Sequence, residues 1–234
     1  MSVAKATTNG HVNRLPKSPN VESLIAQAAA KGPVQIERIR METIRVPIIG
    51  TAPLLMAKFS DKSKRQMLEA QMGKKTIKQP KNPKQLFEDA QYRFGKGWGM
   101  PARNFKAAFI GAARFFDSKK LPKTLLRVAL FVAGEGPEAL VKLDCKAPLM
   151  HEAAVRNASG VADLRYRPLF ENWAATVEIR YPPSVLSFES ILALVDAAGL
   201  GGIGDYRPSS PKTFTGTYGT FQIDERKKVE QVKG

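Results

Sequence analysis

The stretch that most limits what this chain can fold into is "ATVEIRYPPSVLSFESILALVDAAGLGGIG", residues 175–204. "ATVEIRY" reads as a strand, and the segment after the two prolines reads as a helix that must bury one face. Leu186, Ile191, Leu192, Leu194 and Val195 supply the apolar stripe, Ser187 stands at the N-cap position, Glu189 falls in the first turn, and Gly199 is placed to stop the helix. Gly199, Gly201, Gly202 and Gly204 also have the spacing of a dinucleotide-binding fingerprint. That fingerprint works only when a strand precedes it and a helix follows, because the pyrophosphate sits on the helix N-terminus. Here the glycines leave a helix C-terminus, whose partial negative charge disfavours phosphate, and the next strand, "GTYGTFQID", begins near Thr217. No nucleotide cofactor is therefore expected, and no other cofactor has a motif.

With the cofactor gone, charge is the next feature with functional content. The chain of 234 residues has a formal net charge of +16. Residues 56–123 hold 17 basic and 5 acidic side chains, whereas residues 124–234 hold 13 of each. A solvated surface would spread such an excess. Its concentration in one stretch points to a polyanion-binding face. The same stretch carries Phe59, Phe87, Tyr92, Phe94, Trp98 and Phe105, the mixture of cations and π-faces that single-stranded nucleic acid uses.

Residues 1–33 read as a polar, flexible tail with an alanine-rich patch able to form a short helix up to Gly32. From Val34 to Ile48 apolar residues recur near every second position, with one slip of phase between Ile36 and Ile39, which predicts a long bulged strand. A helix over Lys62–Met72 follows, capped by Asp61 and stopped by Gly73, and then a lysine- and proline-rich exposed loop. Pro101 opens a second helix along Phe105, Ala108, Phe109, Ala112, Phe115 and Phe116. "RVALFVAGEG" and "EALVKLDC" predict a hairpin of two short strands, residues 147–168 an irregular polar stretch, and residues 225–234 a charged tail.

A helix, then G-x-G, then a linker and G-x-[YF]-G on a last strand resembles the glycine-rich loop of the repeat-associated mysterious protein (RAMP) superfamily, the RNA-binding subunits of CRISPR complexes. "IRVPIIGTAPLLM" is similar to that family's first strand, "MPARNFKAAFIGAAR" to its first helix, and residues 175–202 to its third strand and second helix. The resemblance spans about residues 34–224, and small phage proteins with a "PLL…FS.K…QM" stretch are similar as well. It implies an α+β, ferredoxin-like β-α-β-β-α-β core over 34–224, a long basic insertion at about 56–100 acting as a finger or thumb, and copies that line up along a strand. The function expected is non-catalytic binding of single-stranded RNA or DNA in a filament or ribonucleoprotein, within the cytoplasm.

The expected nucleic-acid contacts are Lys62, Lys64, Arg65, Lys74, Lys75, Lys78, Lys96, Arg103, Lys106, Arg207 and Lys212, with stacking from Tyr92 and Trp98 and close backbone approach at Gly201, Gly202 and Gly204. Other partners expected are further copies or related subunits, and no membrane. Two alternatives stay open: a metal-independent endoribonuclease of the same superfamily, and a self-assembling phage structural protein. Catalytic material is sparse. Cys145 reads as a buried small residue, Asp61 as a cap, and His151 is the only credible general base. With two histidines and one cysteine, no zinc-ligand spacing occurs, and no phosphate-binding loop is present.

Overall fold

The computed structural model describes residues 21–22, 38–74, 80–156, 160, 162–211 and 215–232. The alanine-rich patch up to Gly32, the start of the predicted strand at Val34 and Ile36, and the middle of the lysine-rich loop lie outside these residues. The chain divides into two compact units, Met1–Arg38 and Ile39–Gly234; the strands and helices described here belong to the second. Its class is α+β, with a mostly antiparallel sheet and, among the described residues, five helices.

The main sheet is organised around two long strands, β1 (Glu42–Gly50) and β9 (Trp173–Tyr181), which pair antiparallel over eight residues from Glu42↔Tyr181 to Ile49↔Ala174. Side chains alternate between the faces of a strand. Ile44, Val46 and Ile48 on β1 and Val177 and Ile179 on β9 are fully buried on one face. Arg45 and Thr176 on the other are exposed. On one side of this pair lie β10 (Phe221–Ile223) and β11 (Glu230–Val232), both against β1; on the other lie β6 (Leu140–Cys145), β4 (Gly97–Pro101) and β3 (Arg93–Phe94). Residues 225–232 are thus not a loose tail, because Glu230–Val232 complete the sheet against Thr43–Arg45.

Pro47 stands in the middle of β1, where a missing N–H normally breaks the ladder. Its carbonyl accepts from the Asp224 N–H at 2.9 Å. Since N–H and C=O of one strand residue point the same way, its missing donor faces the turn between β10 and β11. The only bond forgone there is the return bond to Asp224, one residue past the end of β10.

Two helices cover the apolar face of the sheet. Helix α3 (Ala102–Ala112) buries Phe105 and Phe109, and α5 (Phe188–Gly201) buries Ile191, Leu194 and Val195. Ser187 caps α5 as expected, its hydroxyl accepting from the Ser190 N–H at 3.2 Å. Gly199 does not end α5; the helix runs to Gly201 and stops at Gly202, whose φ of +67° only glycine adopts readily. Gly199 serves packing: a Cβ there would overlap the Phe221 carbonyl oxygen, so helix and strand can touch only without one.

Three further expectations change. Ser60 caps α1 (Asp61–Gln71) by accepting from the Ser63 N–H, and Asp61 is the first helical residue. Only the first three residues of "RVALFVAGEG" belong to a helix, α4 (Lys123–Ala129), and β5 (Phe131–Val132) does not form a hairpin with β6. Both pair with β9 as two pieces of one interrupted strand, separated by a turn closed at Glu135↔Leu140. The stretch 147–168, predicted irregular, is a long hairpin: β7 (Leu149–Arg156) and β8 (Ala162–Phe170) pair over eight residues, and β8 also pairs with β2 (Leu54–Leu55) in a second, three-stranded sheet. No helix among the described residues is long and apolar enough to cross a membrane.

The α5–β10 contact makes a prediction. Gly199→Ala is expected to cost about 2–3 kcal/mol in urea denaturation, as overpacking does in close-packed cores. Gly201→Ala, where a Cβ would meet only the Ser209 side chain at 3.4 Å, is expected to fall within about 0.5 kcal/mol of the parent.

Candidate nucleic-acid interface

The described cations do not form one patch. Helix α1 buries no residue. Ser63 and Gln66 are half-buried on its inner side, so Lys62 comes to the rim of a cleft while Lys64 and Arg65 face outward. Lys64 is tied to Asp61 at 2.8 Å, a surface pair that holds the Asp61 carboxyl below its usual range through that hydrogen bond and the lysine's charge. Lys74 is exposed beyond the helix, and Lys96 is exposed on the β3–β4 turn. Arg103 and Lys106 lie on α3, where Arg103 donates to the Tyr92 hydroxyl at 3.4 Å and Lys106 donates to the Arg127 carbonyl and sits over the Phe131 ring. Lys75, Lys78 and Lys212 lie outside the described residues.

The two expected stacking residues are not open platforms. Tyr92 is buried, with the Lys58 ammonium 5.4 Å from its ring centre. Trp98 is half-buried, donates its indole N–H to Gln91 Oε1 at 2.8 Å, meets Phe170 edge-on and is covered by the Arg93 guanidinium. Both rings are used inside the protein because Trp98 lies on β4, which is paired into the main sheet, and Tyr92 immediately precedes β3, its partner.

What the tertiary structure does assemble is a cleft between the start of α1, α2 (Pro83–Asp89) and β8. Lys58, Lys81, Arg165 and Arg167 line it together with Phe59 and Tyr166; Asp89 and Asp163 are its acids. Phe59 is 53% exposed, an open ring beside cations. Lys58 bonds Glu138 at 3.1 Å, and Lys81 pairs with Asp163, which holds that carboxyl below its usual range. Among the groove's cations, Arg165 is exposed on the strand. None of these groove residues was among the expected contacts. The alternation "RYR" at 165–167 is the local signal that points to them, but their neighbours come from segments about 80 residues away in the chain.

The floor of the cleft is tied to the glycine-rich loop. Arg167 is buried, ion-paired with Asp205 and set over the Tyr206 ring at 5.3 Å. The Asp205 N–H donates to Leu55 at 2.8 Å, Gly219 N–H to Pro53 at 2.8 Å, and Ile203 N–H to Gly219 at 2.9 Å. The described part of the loop is thus held by bonds to Pro53 and Leu55 and across itself, which corrects the expectation of an open backbone at Gly201, Gly202 and Gly204. Gly202 ends a helix, Gly204 lies where a Cβ would come within 2.6 Å of the Leu55 carbonyl, and Gly201 faces Ser209. Arg207 is likewise spent inward, on the Gly204 carbonyl at 2.8 Å and the Ser209 hydroxyl at 3.1 Å.

Of the residues weighed for catalysis, His151 lies on β7 opposite Arg167, with Nε2 3.4 Å from the Tyr218 hydroxyl and Nδ1 buried without a partner. A nitrogen enclosed in this way does not reach a substrate. The Cys145 thiol is pushed up to about 11, by burial and then by the neighbouring Asp144 carboxylate, so it stays protonated at neutral pH. No group of three or more metal-ligating side chains occurs among the described residues.

No protein-family model matches the chain. No curated protein is similar to it in sequence. Among solved structures, a chain of the Type III-B Cmr-beta complex bound to cognate target RNA, determined by cryo-EM, is similar at 12% identity and a TM-score of 0.40, over 91% of this chain and 65% of that one. This chain therefore spans just under two-thirds of that neighbour's length. At such values the likeness assigns it neither ligand nor activity.

Two outcomes follow from the site. Asp205→Asn, which strands the buried Arg167 guanidinium, is expected to lower stability by about 3 kcal/mol. Combining it with Arg167→Met should recover most of that loss in denaturant titrations. Alkylation of Cys145 at pH 8 should run at least about tenfold slower than that of a free thiol and rise with pH until about 11.

Proposed function

We propose that this protein binds single-stranded nucleic acid in the α1–α2–β8 cleft and assembles with further copies along the strand. The observation that carries the reading is the cleft itself: four cations and an exposed phenyl ring converge there from three separate segments. Phosphates take the cations while a base lies on Phe59. Lys62 at the rim and the exposed Lys74 beyond α1 add to the positive charge of this part of the protein.

The core, in this reading, is of the ferredoxin-like kind that the RAMP resemblance implied. Supporting it, β1, α3, the β5–β6 strand, β9, α5 and β10 follow one another in the order β-α-β-β-α-β. Their strands lie in the spatial order fourth, first, third, second, all antiparallel to their neighbours. The open face of that sheet carries Arg45 bound to Glu178 at 3.0 Å, and exposed Thr176, Arg180 and Lys142; the aromatics of β9, Trp173 and Tyr181, are buried on the other face. Stacking on the sheet is for that reason not part of the proposal, and the ligand is assigned to the cleft. Assembly is supported by exposed large apolar residues that the cleft does not use, among them Leu68, Met72, Phe115 and Leu200.

Phosphate contacts carry no sugar information, so labelled RNA and DNA of equal length are both titrated, by fluorescence anisotropy. Three phosphate contacts predict a log–log salt slope near −2, or about an 18-fold loss of affinity between 50 and 200 mM salt. Arg165→Ala should reduce the slope by about 0.7. Phe59→Ala should weaken binding by about tenfold with the slope unchanged. A flat salt response would remove the cleft as the binding site.

A further inference from the structure

Two helices of the unit present outward faces that nothing among the described residues covers, one with a basic excess and the other acidic. On α1, Lys64, Leu68 and Met72 follow at four-residue intervals along the outer line, with Arg65 beside them. Leu68 is 57% and Met72 63% exposed, although α1 is otherwise a strongly polar helix. Helical residues four apart lie one above the other, so this is a continuous apolar ridge headed by Arg65 and by Lys64, the latter paired at the surface with Asp61. On α5, Glu189, Ala193, Asp196 and Leu200 are exposed and share one outward line, and the helix contains no lysine or arginine. Beside Leu200 runs a shallow groove floored by Gly111, Ala112 and Ala198, with Phe115 as its far wall. Leu200 is 64% and Phe115 55% exposed.

We infer that α1 of one copy docks on the α5 face of the next, with Leu68 and Met72 in the groove between Leu200 and Phe115, and Lys64 and Arg65 against Asp196 and Glu189. The inference rests on the assembly part of the proposed function and gives it a surface. Opposite charges on two ridges of one turn's apolar length set register and exclude the α1–α1 and α5–α5 pairings, where like charges would meet. The two faces share no residue, so the contact is head-to-tail and repeats from copy to copy rather than closing as a symmetric dimer. Lys64 and Arg65 line neither part of the cleft, and docking leaves the binding groove open. Arg114 also lines the docking groove, held to the Gly111 carbonyl at 2.9 Å; it marks the side on which the incoming cations do not lie.

A charge-swap experiment on the full chain tests this. Lys64→Glu with Arg65→Glu gives one variant, and Glu189→Lys with Asp196→Lys gives the other. Sedimentation velocity, with and without a long single strand, should find each variant alone at least about 100-fold weaker in self-association than the parent, since like charges now face each other. An equimolar mixture should recover association, because both of its helix pairings are again attractive. Circular dichroism melts establish that each variant is folded. If both folded variants assemble like the parent, or the mixture remains dispersed while the parent assembles, the docking is overturned; a parent that stays monomeric in every condition overturns it too. Binding of an oligonucleotide too short for two copies separates this from the cleft. The Glu189→Lys/Asp196→Lys variant should bind it within about twofold of the parent, and failure of both variants and parent to bind would instead sink the nucleic-acid reading while leaving the docking result standing.

Discussion

Eight residue pairs between Glu42–Ile49 and Ala174–Tyr181 hold the rest of this structure in place. The two strands are 125 residues or more apart in the chain, and once they pair, every other element has a fixed place. One face of the pair presents Ile44, Val46, Ile48, Val177 and Ile179, and this face determines where α3 and α5 must lie. The connections between core elements then leave the sheet at defined points. The segment after β1 runs through β2 into α1 and α2, and the segment after β6 becomes the β7–β8 hairpin. Both end in the same small sheet, which is why a cleft forms between them.

The cleft therefore depends on the core without being part of it. Its cations come from two insertions, and the cleft floor is fixed by one buried ion pair, Arg167 with Asp205, that joins the hairpin to the glycine-rich loop. That loop is less a ligand-binding device than a clasp. Its glycines admit carbonyl groups of the protein's own backbone, and its tyrosines cover Arg167 and meet His151. The positive excess has a similar division of labour. Some cations are neutralised at short range by Asp61, Glu138 and Asp163, while exposed ones such as Lys96 and Arg165 contribute to the long-range field.

Where reading the sequence succeeded, one face of an element was buried against the core. The Ser187-capped helix, the apolar face of α3, the strand at 175–181 and the strand in β1 all show that periodicity. Where it failed, the face was not buried on one side only. In β7 and β8 residues such as Leu149, Met150 and Leu164 are exposed, so no alternation marks the hairpin, and backbone pairing alone makes it regular. Tyr92 and Trp98 failed as stacking residues for the opposite reason. Their composition, aromatics among lysines and glycines, fits an exposed platform, but pairing of β4 at the sheet edge turned Trp98 inward and Tyr92, just before β3, joined the core.

By itself the sequence determined that this is an α+β chain, that its glycine run follows a helix rather than opening one, and that its charge is concentrated between Met56 and Lys123. Those are properties of local order and composition, which no packing can alter. The tertiary structure decided which of those charges stand together. Lys58, Lys81, Arg165 and Arg167 meet only after three distant segments converge, and Arg207 and the glycines are drawn inward only when the loop closes on β2. A side chain's chemistry is written in its own residue, but its neighbours are chosen by pairings that span the whole chain.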